Sequence, residues 1–182
     1  MIIGIFRKLR ANALMSLGNA YLKQGRWEEA IANYNKALEI FRKLGDHHGE
    51  AKTLMNLVLV YFQQGRWEEA IANYNNALEI YRKLGDHQGE ANALMGLGSV
   101  YFMQGRLEEA IANYNKALEI FRKLGDRQGE AHTLNNLGLV YSQQGRWEEA
   151  IANYNKALEI FRKLGDRHGE AIVLKNLGNV YR

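Results

Sequence analysis

Apolar residues recur at three- and four-residue steps along nearly the whole chain. Between 67 and 84 they are Ala70, Ile71, Tyr74, Ala77, Leu78 and Tyr81; between 47 and 64 they are Ala51, Leu54, Leu57, Val58 and Tyr61. Such steps line up on one side of a helix, whereas a strand would alternate. The punctuation agrees. Gly65 and Gly85 stand where such stretches end, and glycine accepts the left-handed conformation that closes a helix. Glu68 and Glu69 fall in a first turn and Arg82 and Lys83 in a last one, each favourable to the helix dipole. Asp46, Asp86, Asp126 and Asp166 follow a closing glycine and suit the N-cap of the next helix. The pattern predicts helices at 3–24, 27–44, 47–64, 67–84, 87–104, 107–124, 127–144, 147–164 and 167–181, an all-α chain.

These helices come in copies. The segment Gly-Arg-Trp-Glu-Glu-Ala-Ile-Ala-Asn-Tyr-Asn begins at Gly25, Gly65 and Gly145, and again at Gly105 with Leu107 for Trp, a period of 40 residues without insertion. One helix pair cannot bury its own apolar side, so pairs must stack and share a core. The expected organisation is a single array over 1–182: repeat 1 over 1–44 with an extended first helix, then 45–84, 85–124 and 125–164, and a closing half-repeat over 165–182.

The recurring positions resemble the tetratricopeptide repeat. They read Leu14, Leu17, Gly18, Tyr21, Ala30, Tyr34, Ala37; then Leu54, Leu57, Val58, Tyr61, Ala70, Tyr74, Ala77. The third copy is Leu94, Leu97, Gly98, Tyr101, Ala110, Tyr114, Ala117, and the fourth Leu134, Leu137, Gly138, Tyr141, Ala150, Tyr154, Ala157. Leu174, Leu177, Gly178 and Tyr181 end the chain. The family's first-helix Trp is Leu here, and Arg-Lys-Leu-Gly-Asp replaces its terminal proline. The longer repeat that results resembles kinesin light chains, cell-polarity adaptors and bacterial regulators of the same architecture. The resemblance implies a right-handed α-solenoid that binds other polypeptides and is not an enzyme.

Composition narrows the chemistry. No cysteine means no disulfide, thiol catalysis or sulfur-held metal. Apolar runs of the Leu57 to Phe62 kind fall far short of the ~20 residues that span a bilayer, and the opening residues do not form a signal segment. A cytoplasmic protein without membrane association is expected. The net charge of +4 is concentrated in residues 5–44, which carry eight Lys/Arg against three Glu. A nucleic-acid footprint would run along a face instead, so no nucleic-acid partner is expected. The Glu doublets at 28–29, 68–69, 108–109 and 148–149 read as dipole and solubility residues. Histidines at 47, 48, 87, 132 and 168 hold no constant ligand set. Neither metal nor cofactor is expected.

Binding should show where the copies diverge. The second helices differ at three positions, the first helices at about nine. The variable residues of the first helices form one stripe, at 15, 19 and 22 and their equivalents. By the family resemblance this stripe lines a concave peptide groove: Met15, Met55, Leu59, Phe62, Met95, Phe102, Met103 and Leu139, beside Asn56, Asn136 and Asn176. A second expectation concerns the ends. No Gly-Asp follows Leu9, so 3–24 should run as one rod from which Ile5, Phe6 and Leu9 project. Helix 167–181 has no second-helix partner, which should leave Leu174, Leu177 and Tyr181 partly uncovered beside Ile172 and Val173. Association of copies through these termini is expected, and a self-assembling or engineered repeat array is the alternative to an adaptor.

Overall fold

The computed structural model describes residues 2–181 and, among them, nine helices and no strand. They are α1 (Ile2–Lys23), α2 (Trp27–Leu44), α3 (His47–Gln63), α4 (Trp67–Leu84), α5 (His87–Met103), α6 (Leu107–Leu124), α7 (Arg127–Gln143), α8 (Trp147–Leu164) and α9 (Arg167–Val180). Each boundary lies within one residue of the one read from the sequence. The predicted rod is present: α1 continues unbroken for 22 residues.

The caps explain the periodic stops. Gly45, Gly85, Gly125 and Gly165 adopt φ between 64° and 71°, a conformation that costs a residue with Cβ far more. The aspartate after each then caps the next helix. Asp46 and Asp166 accept from the amides of Gly49 and Gly169 at 2.9 Å, and Asp86 and Asp126 from those of Gly89 and Gly129 at 2.8 Å.

The described residues gather into two compact units, one up to Ala93 and one from Leu94 onward, so the division falls inside α5. In the first unit α1 pairs with α2 and α3 with α4, while α3 also packs on α2 and touches α1. Its core includes Ala11, Met15, Ala37 and Phe41, with Leu54, Leu57 and Val58 buried further along. In the second unit α7 pairs with α8, α6 meets α7, and α9 packs on α8 and touches α7. Tyr114, Leu134, Leu137, Tyr154 and Phe161 are the bulk of its core.

Two ring-over-glycine contacts set the helix spacing. Within a repeat, the second-helix tyrosine covers a glycine of the first: Tyr34 over Gly18, Tyr114 over Gly98, Tyr154 over Gly138. Between repeats, Phe121 covers Gly129 and Phe161 covers Gly169, and the second glycine of each Gly-Asp-x-x-Gly-Glu motif serves this contact. A Cβ at these glycines would stand 2.5–2.7 Å from ring carbons, closer than packed atoms come. Repeat 2 departs from the pattern. Val58 is fully buried where the others have glycine, and Tyr74 is 9% exposed against 0–2% for Tyr34, Tyr114 and Tyr154. The valine takes the volume that the ring fills elsewhere.

Candidate protein-binding surface

The turn between the two helices of each repeat is built by one arginine. Arg26, Arg66, Arg106 and Arg146 lie over the rings of Tyr21, Tyr61, Tyr101 and Tyr141 at 4.4–4.6 Å from the centroids. Each guanidinium also bonds the second glutamate of its doublet, Glu29, Glu69, Glu109 or Glu149, at 2.8 Å. That bond, foremost, holds those carboxyls below their ordinary pKa. The first glutamate reaches the following repeat: Glu28 accepts from Gln64 at 3.1 Å and Glu108 from Gln144 at 2.8 Å. The doublets are therefore specific tethers and more than dipole and solubility residues. Sequence reading missed this because the glutamine that the first glutamate meets lies 36 residues further along the chain.

The basic doublets at the second-helix ends are neutralised. Arg42, Arg82 and Arg162 bond Glu50, Glu90 and Glu170 at 2.8 Å, Arg122 bonds Glu130 at 2.9 Å, and Lys43 and its equivalents bond a glutamate one turn back. Among the described residues no group of three or more His, Cys, Asp and Glu is placed to hold a metal ion, and no helix is long and apolar enough to cross a membrane.

The predicted first-helix stripe divides into structural and solvent-facing members. Met15 does not face solvent: it is buried, its Sδ 3.3 Å from the Thr53 hydroxyl, because position 53 of the next repeat packs onto it. Met95 is half-buried in the same way, with Thr133 at 3.5 Å. The ring of Phe62 stands edge-on to Trp67, centroids 5.3 Å apart, and Phe102 packs half-buried against the second unit's core beside Leu107. Trp147 has Ser142 at the corresponding place and is 52% exposed. One variable position serves the tyrosine in two copies: the Tyr34 hydroxyl donates to Asn19 Oδ1 at 2.6 Å, and Ser99 Oγ lies 3.0 Å from the Tyr114 hydroxyl. Asn176 donates to Asn135 Oδ1 at 2.9 Å.

What remains accessible in the first unit is Leu59, half exposed, with Met55 and Asn56 half-buried beside it on α3. In the second unit Met103 is 55% exposed, and Asn136 and Leu139 are half-buried. Of the end residues, Ile5, Phe6, Leu9, Ile172 and Leu174 are exposed as expected. Val173 and Leu177 are not: both are buried, Val173 completely, since they point into the second unit's core.

A family profile described as tetratricopeptide repeat matches residues 9–61, 49–123 and 129–182. No curated protein matches the chain. Among solved structures, BtubC (BKLC) from P. vanneervenii is 25% identical at TM-score 0.87, over 97% of this chain and 74% of that one. A Rap protein complexed with Competence and Sporulation Factor is 21% identical at TM-score 0.78, over 95% of this chain and 48% of that one. A putative kinesin light chain from Podosopora anserina with nearly identical TPR-like repeats is 18% identical at TM-score 0.79, over 96% of this chain and 86% of that one. The chain thus spans about half the length of the Rap protein. The fold class is the all-α solenoid of helix-turn-helix repeats.

Proposed function

The chain belongs to the tetratricopeptide repeat family, in general a protein-interaction scaffold, and from that premise we propose that the solvent-facing residues of its first helices take up a peptide segment of a partner protein. The observation that carries this reading is the contrast between the two helix types. The second helices hardly vary and spend their large side chains on the core. The first helices vary, and some of their variable apolar residues face water. A soluble chain keeps such residues where something covers them.

In the first unit Met55, Asn56 and Leu59 are the proposed contacts; in the second, Met103, Asn136, Leu139 and Asn176. Methionine adapts to irregular apolar ligands, and asparagine amides can bond a peptide backbone, as the resemblance implies. The neighbouring Rap structure holds a partner, Competence and Sporulation Factor, which supports the reading by analogy of fold.

The test is a selection from a displayed peptide library on the immobilised chain, followed by solution affinities of the selected peptides. Leu59→Asp or Met103→Asp should weaken a peptide selected on its own unit by ~1–3 kcal/mol, as buried interface anchors do, with helix content unchanged. Selected peptides that bind both variants as tightly as the original chain would refute the assignment.

A further inference from the structure

In the first unit a groove of about 400 Å³ lies between the end of α2, the start of α3 and the second half of α4. Apolar Ile80 and Leu84 line it, together with two ion pairs, Arg42 with Glu50 at 2.8 Å and Lys83 with Glu79 at 2.6 Å. His47 and Asn76 complete the lining. At 3.6 residues per turn His47 and Glu50 fall roughly opposite Leu59 on α3, so the groove is separate from the proposed peptide contacts.

The second unit shows what fills such a groove. Two periods further on the lining is the same except at two places, where Arg127 stands for His47 and Lys156 for Asn76. The Arg127 guanidinium donates to Glu130 Oε2, while Arg122 holds Oε1 at 2.9 Å. The Glu159 carboxyl on α8, held below its ordinary pKa foremost by Lys163, also feels the Arg127 charge. Ile160 beside it is 5% exposed, whereas Ile80 is only half-buried. Arg127 thus reaches from α7 to α8, its stem covering the isoleucine and its head on the glutamate. In the first unit Glu50 Oε1 takes Arg42 in the same way. Among the described residues Oε2 meets only the His47 ring, at 3.7 Å, beyond hydrogen-bond length, and an imidazole has no stem to lay over Ile80. Charge points the same way. The second-unit groove accommodates Arg127 beside a further cation, Lys156, and the first-unit groove has neither.

We propose that the first-unit groove is a receptor site for an arginine side chain of a partner polypeptide. The incoming guanidinium donates to Glu50 Oε2 and the stem covers Ile80, as Arg127 does within the chain. Lysine fits less well, because a compact ammonium lacks the planar fork of donors. The second unit presents its arginine on a helix backbone, so the matching ligand is an arginine residue within a chain.

Titration of the full chain with acetyl-arginine methylamide, followed by nuclear magnetic resonance, tests this. Saturable shifts should appear at Glu50, Asn76 and Ile80, with the millimolar affinity of a single side chain. Glu130 and Ile160, already served by Arg127, should not move. The corresponding lysine compound should bind several-fold more weakly. His47→Arg should abolish the shifts by supplying the arginine from α3 itself. Glu50→Gln should weaken binding roughly ten-fold or more, as loss of a charged acceptor does, with circular dichroism unchanged in both variants. Arg127→His with Lys156→Asn should open a second site, seen as new shifts at Glu130 and Ile160. No saturable shift at Glu50 and Ile80, equal binding of the arginine and lysine compounds, or undiminished binding by His47→Arg would overturn the proposal. So would tighter binding of free arginine than of the capped residue, which would assign the groove to a small molecule.

Discussion

The ring of Tyr154 occupies the space that a side chain on Gly138 would need: a Cβ there would lie 2.5 Å from Tyr154 Cε1. The tyrosine is itself buried, so the ring has little room to retreat. Gly138→Ala should therefore destabilise the second unit by about 1–3 kcal/mol, the usual cost of overpacking. Gly178 is the control, because nothing lies within 4 Å of a Cβ built there. Gly178→Ala should be neutral or stabilise by up to ~1 kcal/mol through helix propensity. Urea unfolding of both variants checks the pair, and equal effects would contradict the packing described.

Val58 is the natural experiment on the same socket. Val58→Gly restores the common residue, yet it removes fully buried methyls and places a poor helix former in α3. Tyr74 can settle into the vacated space and recover part of the loss. A net destabilisation of ~1–2 kcal/mol is expected from transfer and propensity together. A variant more stable than the parent in urea would show Val58 to be strained.

Trp147 is uncovered because Ser142 stands where Phe62 meets Trp67. Ser142→Phe should supply the missing ring, stabilise by ~0.5–1.5 kcal/mol as edge-to-face pairs do, and reduce acrylamide quenching of Trp147. The quenching measurement is made with Trp27 and Trp67 replaced by Phe in both backgrounds. Unchanged quenching would mean that the two rings do not meet.

Stability should fall at both ends of the pH scale, for different groups. Burial raises the pKa of Tyr34 and Tyr114 and pushes that of Tyr154 up to about 12. A phenol with a raised folded pKa favours the fold below its unfolded value near 10, and that contribution is lost as pH rises through the folded value. Tyr154→Phe should flatten the decline of the urea midpoint between about pH 10 and 12. At the acid end, the Lys8 ammonium, foremost, depresses the pKa of Asp46, and the Gly169 amide, foremost, that of Asp166. A depressed carboxyl favours the fold above its unfolded value and loses that contribution as pH falls through the folded one. Asp46→Asn should therefore lessen the dependence below about pH 4, and an acid limb unaffected by it would remove Asp46 from the account.

Sequence alone determined the helices, because capping and periodicity are local: each glycine in the left-handed conformation, each N-cap aspartate and the unbroken α1 could be read from residues a few places apart. It also separated the nearly invariant second helices from the variable first helices. Tertiary structure decided which variable residues remain free. Met15 and Val173 share a helix side with candidates for binding, yet position 53 of the next repeat covers the first and the second unit's core takes in the second. Asn19 and Ser99 are two answers to the same tyrosine hydroxyl, that of Tyr34 in one copy and of Tyr114 in another, and Phe62 is spent on Trp67. Periodicity gives the side of a helix a residue occupies; what stands opposite comes from another helix, and only packing brings the two together.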